Sequence, residues 1–373
     1  MTELAILGRQ PELGRAEIEA LVGAAALEAA GPHLLSSHPL DLDRLGGSVK
    51  LARLLTRQPG TKLSDLELDL ADLPTADAKL TFGISTYGPK LPFGDLQAWG
   101  LGLKKRLGSA RLVLPRRPHT DLTAAQLKFN RILEKGFELV VVQGAGELIV
   151  GLTTAVQDID AYAARDHGRP ERDAKIGMLP PKLAQIMINL AGPEPGAIVD
   201  PFGGSGVIAQ EALLASHRTY SSDLSPTMVR AATENLTWLA TNHQHLPAWS
   251  VELADARQLK LPPGPLTIVT EGYLGEPLSA APSPQRLVAL DREISGLTST
   301  WLRRAATQLP NGRRIVLAVP AWHVAGRDHH PRVIDEIPRL GYTQVQFHHA
   351  PGRLIYRRPG QIVGRHLLVL EKI

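Results

Sequence analysis

Residues 197–223 read AIVDPFGGSGVIAQEALLASHRTYSSD, and this stretch decides the fold. A short apolar run, Ala197–Val199, ends in Asp200. A glycine-rich turn follows, then an apolar segment of helical spacing, then a second strand that ends in Asp223. Strand, tight turn, helix, strand is the unit from which parallel sheets are built. The alternation continues downstream through SVELAD, LTIVT, a long helical stretch near 287–308 and RIVLAVP. Upstream, Pro181 opens a helix with Leu183, Ile186, Met187 and Leu190 at helical spacing. The end differs, because TQVQFHH (343–349) and HLLVLEKI (366–373) are joined by a loop alone. Two strands without a crossover helix pair antiparallel. The expectation is an α/β domain with seven strands, the last one reversed.

The glycine turn belongs at the carboxyl end of a strand, where open α/β sheets bind ligands. Its spacing, Gly203, Gly204 and Gly206, does not give G-x-G-x-x-G, and no cradle for a diphosphate is evident. An acid stands before the glycines instead. It would repel a diphosphate and favour a cation. Asp223, 23 residues beyond Asp200, is placed to bond ribose hydroxyls, and Asp255 ends a third strand. S-adenosylmethionine fits this pattern, with its adenosine, sulfonium and ammonium and no phosphate. The competing reading is a structural turn with helix-capping acids.

DPFGGSGVIAQEALL, followed by SSDLSPTMVRAATENLTWL and preceded by KIGMLPPKLAQIMINLA, resembles the cofactor half of class I S-adenosylmethionine-dependent methyltransferases. It is most similar to RNA methylases that carry an N-terminal THUMP domain, in particular the tRNA guanosine N2-methyltransferases. LAILGRQPELGRAEIEAL and LGGSVKLAR resemble that family's N-terminal ferredoxin-like region. The resemblance is strong over 175–239 and weaker before 165. It implies a Rossmann-like seven-stranded class I methyltransferase sheet with an antiparallel last strand, preceded by a smaller α+β (ferredoxin-like plus THUMP-like) region. It implies that Asp200, Phe202, Gly203, Gly204 and Gly206 line the methionine side of the cofactor, that Asp223 holds the ribose with Leu224 against the adenine, and that Asp255 and Ala256 meet the adenine edge.

Amino-methyltransferases of this group carry an Asp or Asn, two prolines and an aromatic after the fourth strand. Here the strand LTIVT leads into Glu271-Gly272-Tyr273-Leu274. Glu271 takes the acid position, glycine and tyrosine replace the prolines, and Leu274 falls where the aromatic belongs. The resemblance implies Glu271 as acceptor for the amine protons and Tyr273 as stacking ring for an extruded base. The departure leaves room for a chain that binds cofactor or RNA without transferring methyl. An amino-methyltransferase acting on DNA is a further alternative.

Length and composition bound the rest. At ~150 residues per domain, 373 residues suggest two domains. The polar stretch from Ala164 to Pro181 places them at 1–165 and 181–373, with a linker at 166–180. The net charge of +4 is too mild to demand a polyanion partner. The absence of cysteine excludes disulfides, a thiol nucleophile and thiolate metal sites. The first residues meet a proline and acids within two turns and read as no secretory signal. No apolar run reaches ~18 residues, so no membrane span and a cytoplasmic location are expected.

The N-terminal part carries Lys104, Lys105, Arg106, Arg111, Arg116 and Arg117 with no acid between them, and Arg131 and Lys135 follow. Such a run suits phosphate contacts with tRNA, and its plainer reading is a solvated helix face. Tyr87, Lys90 and Phe93 lie just upstream, and Arg172 and Lys175 in the linker are further phosphate candidates. The histidines at 167, 217, 243, 245, 329 and 330 show no metal-ligand spacing, so no metal is expected. Ser205 has neither a GxSxG frame nor an identifiable base.

Overall fold

The computed structural model describes residues 2–74, 80–89, 91–172 and 178–373. Lys90 and Lys175 lie outside the described residues. The chain runs β1 (Glu3–Leu7), α1 (Pro11–Val22), β2 (Leu27–Ala30), β3 (His33–Ser36), β4 (Ser48–Pro59), β5 (Thr81–Tyr87), α2 (Phe93–Arg106), β6 (Arg111–Val113), α3 (Ala124–Phe129), α4 (Ile132–Lys135), β7 (Gly136–Gln143), β8 (Glu147–Val156) and α5 (Ile159–His167). It continues with α6 (Pro181–Leu190), β9 (Ala197–Asp200), α7 (Val207–Leu214), β10 (Thr219–Asp223), α8 (Pro226–Asn242), β11 (Trp249–Leu253), β12 (Leu266–Glu271), α9 (Pro284–Ala306), β13 (Arg314–Val324), β14 (Arg327–His329), α10 (Val333–Glu336), β15 (Tyr342–Gln344), β16 (Leu354–Tyr356) and β17 (Val363–Lys372).

Two compact units result. The first comprises Met1–Pro11, Val22–Asp43 and Gly47–Asp160; the second comprises Glu12–Leu21, Arg44–Gly46 and Ala161–Ile373. A single cut through the linker at 166–180 therefore does not describe the chain. α1 belongs with the second unit because Leu13 and Ala16 are buried in one cluster with Leu183, Met187 and Leu190 of α6. Burial of each leucine or methionine side chain is worth roughly 1.5–3 kcal/mol. Residues 44–46 follow because the buried Glu17 accepts hydrogen bonds from Gly46 N at 2.9 Å and Asn189 Nδ2 at 2.8 Å. Asn189 Nδ2 also donates to Arg44 O, at 2.6 Å.

The first unit is a mixed eight-stranded sheet in the order β2-β3-β1-β4-β8-β7-β5-β6. β7 and β8 form an antiparallel hairpin across the Gly144–Gly146 turn. Residues 48–59 form one twelve-residue strand, β4. That strand pairs antiparallel with both β1 and β8, so its backbone groups are satisfied in a ladder and no helix forms. A buried polar network ties four adjacent strands. Lys50 Nζ on β4 donates to Glu138 Oε1 on β7 at 2.6 Å, Ser85 Oγ on β5 donates to the same oxygen at 2.5 Å, and Thr153 Oγ1 on β8 donates to Glu138 Oε2 at 2.6 Å. A register slip would strand that buried charge.

The second unit holds the expected alternation. Its sheet runs β11-β10-β9-β12-β13-β17-β15, with β14 paired to β13 and β16 to β17. The first five strands of that path are parallel neighbours. β17 is antiparallel to both β13 and β15, as the missing crossover helix requires. The order turns around β9: the chain leaves it for β10 and β11 on one side and returns to β12 on the other. That reversal opens a crevice at the strand ends, where Asp200 stands. Below it, Ile268, Trp301, Leu302, Ile315 and Leu368 form the core on one face. Among the described residues, no helix is long and apolar enough to cross a membrane.

Candidate cofactor cavity and basic surface

Asp200 ends β9 with only 3% of its surface exposed. Its Oδ1 accepts from Thr270 Oγ1 at 2.6 Å and from Phe202 N at 3.1 Å. Burial raises its pKa to about 7 against those two bonds. After it the chain turns through the glycines. A Cβ on Gly203 would sit 2.0 Å from Ser221 Oγ, so any other residue there would force the Ser221 hydroxyl to move. Gly204 has φ +50 and meets nothing within 4 Å of its Cβ position, so the loop is left-handed and open on that side.

Asp223 ends the adjacent strand, β10. Its Oδ2 accepts from Gly204 N at 2.9 Å and its Oδ1 from Ser225 N at 2.8 Å. It thus fixes the glycine loop to the start of α8, and each oxygen keeps a lone pair for a further donor. Leu224 is 66% exposed, and Leu253, the register partner of Asp223 on β11, is 59% exposed. Two large apolar side chains thus stand exposed near adjoining strand tips. Leu253 was not singled out in the sequence, although the apolar end of SVEL just before Asp255 could have suggested it.

A cavity of about 290 Å³ opens above the strand ends. Asp200, Phe202, Gly203, Gly204, Ser205 and Glu271 line one side, and Glu171, Arg172, Met178, Thr227 and Met228 line others. The structure therefore brings together five of the expected cavity residues. Gly206, left-handed at φ +85, instead packs against Ala232 and starts α7. Asp223 reaches the cavity through Gly204. Asp255 lies apart from the lining residues: it caps the following turn through Arg257 N at 2.9 Å and pairs with the Arg257 guanidinium at 2.6 Å, which lowers its pKa. Ala256 is buried in the core cluster with Ile268 and Trp301.

Glu271 ends β12 half-buried, and Arg365 Nε of β17 donates to its Oε1. Burial raises the Glu271 pKa against the opposing pull of that guanidinium. Arg365 is itself buried, at 5% exposure, and it stands 94 residues away in sequence, so no local pattern could have named it. Tyr273 is placed elsewhere. It packs beside Leu290, Ile294 and Trp322 and does not line the cavity. Thr270 and Asn235 were also missed, because one lies inside an apolar strand and the other inside a helix.

In the first unit, Lys104, Lys105, Arg106, Arg111, Arg116 and Arg117 are all exposed. None makes an ion pair among the described residues, whereas Arg57, Lys128 and Arg131 of the same unit do. Arg106 donates to Leu68 O at 2.7 Å, Arg111 to Asn130 Oδ1 at 2.8 Å, and Arg117 lies 4.7 Å over the Phe93 ring. Among the described residues, no group of three or more His, Asp or Glu could hold a metal ion.

Comparison with known proteins bears on the second unit most directly. Residues 169–308 match the family model described as RMKL-like, methyltransferase domain. A tRNA (guanine(10)-N2)-dimethyltransferase of Methanothermobacter thermautotrophicus is 35% identical over 160 residues, which is 43% of this chain and 43% of that protein. The match thus spans less than half of that relative. The fold extends further. The crystal structure of TrmN from Thermus thermophilus superposes with a TM-score of 0.56 at 20% identity, over 100% of both chains. A protein described as a methyltransferase, crystallised with SAH, gives a TM-score of 0.50 at 11% identity, over 99% of this chain and 97% of that one. The likeness over residues 169–308 is thus to a methyltransferase domain, and the fold of the whole chain is shared with these solved structures.

Proposed function

We propose that the chain transfers a methyl group from S-adenosylmethionine to the exocyclic N2 amine of a guanosine in tRNA. The observation that carries this reading is the placement of Glu271 in the same cavity as Asp200 and the glycine loop. A cofactor site and an amine acceptor thereby share one space. The cavity fits the cofactor in charge as well. Three acids, Glu171, Asp200 and Glu271, and one cation, Arg172, line it, which favours a sulfonium and opposes a diphosphate. Asp223 would hold the ribose, with Leu224 and Leu253 against the adenine. Asp255 and Ala256 would approach the adenine edge through groups that the capping turn leaves available. The likeness to the tRNA (guanine(10)-N2)-dimethyltransferase of Methanothermobacter supports tRNA as substrate.

When bound, the cofactor supplies a methyl group made electrophilic by the sulfonium. An exocyclic amine is a weak nucleophile because its lone pair is delocalised into the ring. Arg365 holds one oxygen of Glu271, leaving the other to accept a hydrogen bond from the amine and aim its lone pair. As nitrogen gains the methyl group it sheds one proton, which passes to this acceptor or to water. The N-terminal unit, read as ferredoxin-like and THUMP-like, would grip the RNA through the exposed cations at 104–106, 111, 116 and 117. The second reading, a chain that binds cofactor and RNA without transfer, draws on Tyr273, which is packed against Trp322 and leaves the stacking role unfilled.

Incubation with labelled cofactor and separate pools of tRNA and DNA, followed by nucleoside mass spectrometry, distinguishes these readings. The expected product is N2-methylated guanosine from tRNA alone. Glu271→Ala should lower turnover by about a hundredfold or more while cofactor binding persists. Label in neither pool would leave the non-catalytic reading standing. Affinity for the cofactor should tighten as pH rises. Asp200 keeps its proton up to about 7, and only its ionised form attracts a cation. Calorimetry should therefore give binding about tenfold weaker at pH 6 than at pH 8, and a flat profile for Asp200→Asn. Replacing Lys104, Lys105, Arg116 and Arg117 by Gln should weaken tRNA binding and flatten its dependence on log salt by roughly 1 for each phosphate no longer neutralised. An unchanged slope would remove this surface from the interface.

A further inference from the structure

Two consecutive residues ahead of α6, Glu171 and Arg172, line the cavity on chain that belongs to neither a strand end nor the glycine loop. Their position is fixed from beneath. Asn235 of α8, 1% exposed, accepts from Glu171 N at 2.9 Å and donates to Glu171 O at 3.0 Å. The same amide donates to Ser205 O at 2.9 Å. One buried side chain thus clamps both backbone groups of Glu171 and ties them to the glycine loop. Both bonds are made by the backbone, which leaves the Glu171 carboxylate without a hydrogen bond among the described residues.

Arg172 is the only cationic side chain among the described residues that line the cavity. It makes no ion pair among the described residues. Its guanidinium is steered by His167, whose carbonyl oxygen lies 3.4 Å from Nη1 and whose ring Nδ1 lies 3.0 Å from Nη2. The other two cavity acids are engaged: Glu271 with Arg365, and Asp200 with Thr270 and Phe202 N. An anion on a clamped backbone beside a cation steered by His167, each without an opposite charge bonded to it among the described residues, is the complement of a zwitterion.

We propose that Glu171 and Arg172 recognise the α-amino-acid end of the cofactor, Arg172 taking its carboxylate and Glu171 its ammonium, with Asn235 as the residue that positions the pair. This rests on the reading that the cavity takes S-adenosylmethionine. It gives Arg172 a role other than the phosphate contact suggested by its place in a basic linker. It also predicts a ligand preference that the rest of the cavity does not dictate. A nucleoside thioether with an amino-acid tail should bind better than one without.

The test is calorimetric and needs no turnover. S-adenosylhomocysteine carries the amino-acid group and 5′-methylthioadenosine lacks it, while both keep the adenosine and the sulfur. The wild-type chain should bind the former more tightly. Arg172→Ala should weaken S-adenosylhomocysteine by about tenfold to a hundredfold and leave 5′-methylthioadenosine within about twofold. Glu171→Gln should act in the same direction. Equal weakening of both ligands in Arg172→Ala, or of neither, would overturn the proposal while the cofactor reading stands. Failure of the wild type to bind either nucleoside would instead overturn the cofactor reading itself.

Discussion

Burying a carboxyl group where the strand order reverses constrains everything around it. Asp200 is tolerated at the end of β9 because Thr270 and the Phe202 N–H donate to it, and even so it ionises only near neutral pH. Thr270 comes from β12 and Phe202 from the turn, so the acid joins the two strands that flank the crevice to the loop that closes it. A solvated acid at this point would carry no such information. A buried one, kept where an apolar residue would be more stable, marks a place where charge is wanted.

The same logic runs outward. Asp223 spends both oxygens on backbone N–H groups of the glycine loop and of the turn into α8, so it shapes the cavity before any ligand arrives. Asn235 does so for the segment ahead of α6. Arg365 does so for Glu271, from a strand that enters the sheet antiparallel at the end of the chain. The cavity is therefore preorganised by groups drawn from β9, β10, β12, β17 and α8, which is the condition for positioning an amine with accuracy. The reversed strand then has a chemical consequence beyond closing the sheet: it delivers the guanidinium that orients the candidate acceptor.

How much of this could be read in the sequence follows from the range of each interaction. Asp200, the glycines and Asp223 lie within one strand-turn-helix-strand unit, where hydrophobic period and turn chemistry are local, and there the strands, turn and helix fall where the sequence puts them. The antiparallel ending was legible from the absence of a crossover helix. Thr270, Arg365 and Asn235 were not legible, because each acts on a partner far along the chain. Tyr273 was expected to stack on a base from its place after the fourth strand, yet its ring joins Leu290, Ile294 and Trp322, residues from α9 and β13. The path of α1 was missed for the same reason. Its amphipathic spacing cannot say that Leu13 and Ala16 bury with α6 rather than with the strands on either side of α1 in sequence.

A crystal structure with S-adenosylhomocysteine bound puts the central claim to its most direct test. The ligand is expected in the cavity above β9, with its ribose hydroxyls on Asp223 and its sulfur beside Asp200 and Glu271. Density for the ligand elsewhere, or a cavity filled by neighbouring side chains at saturating ligand, would contradict it.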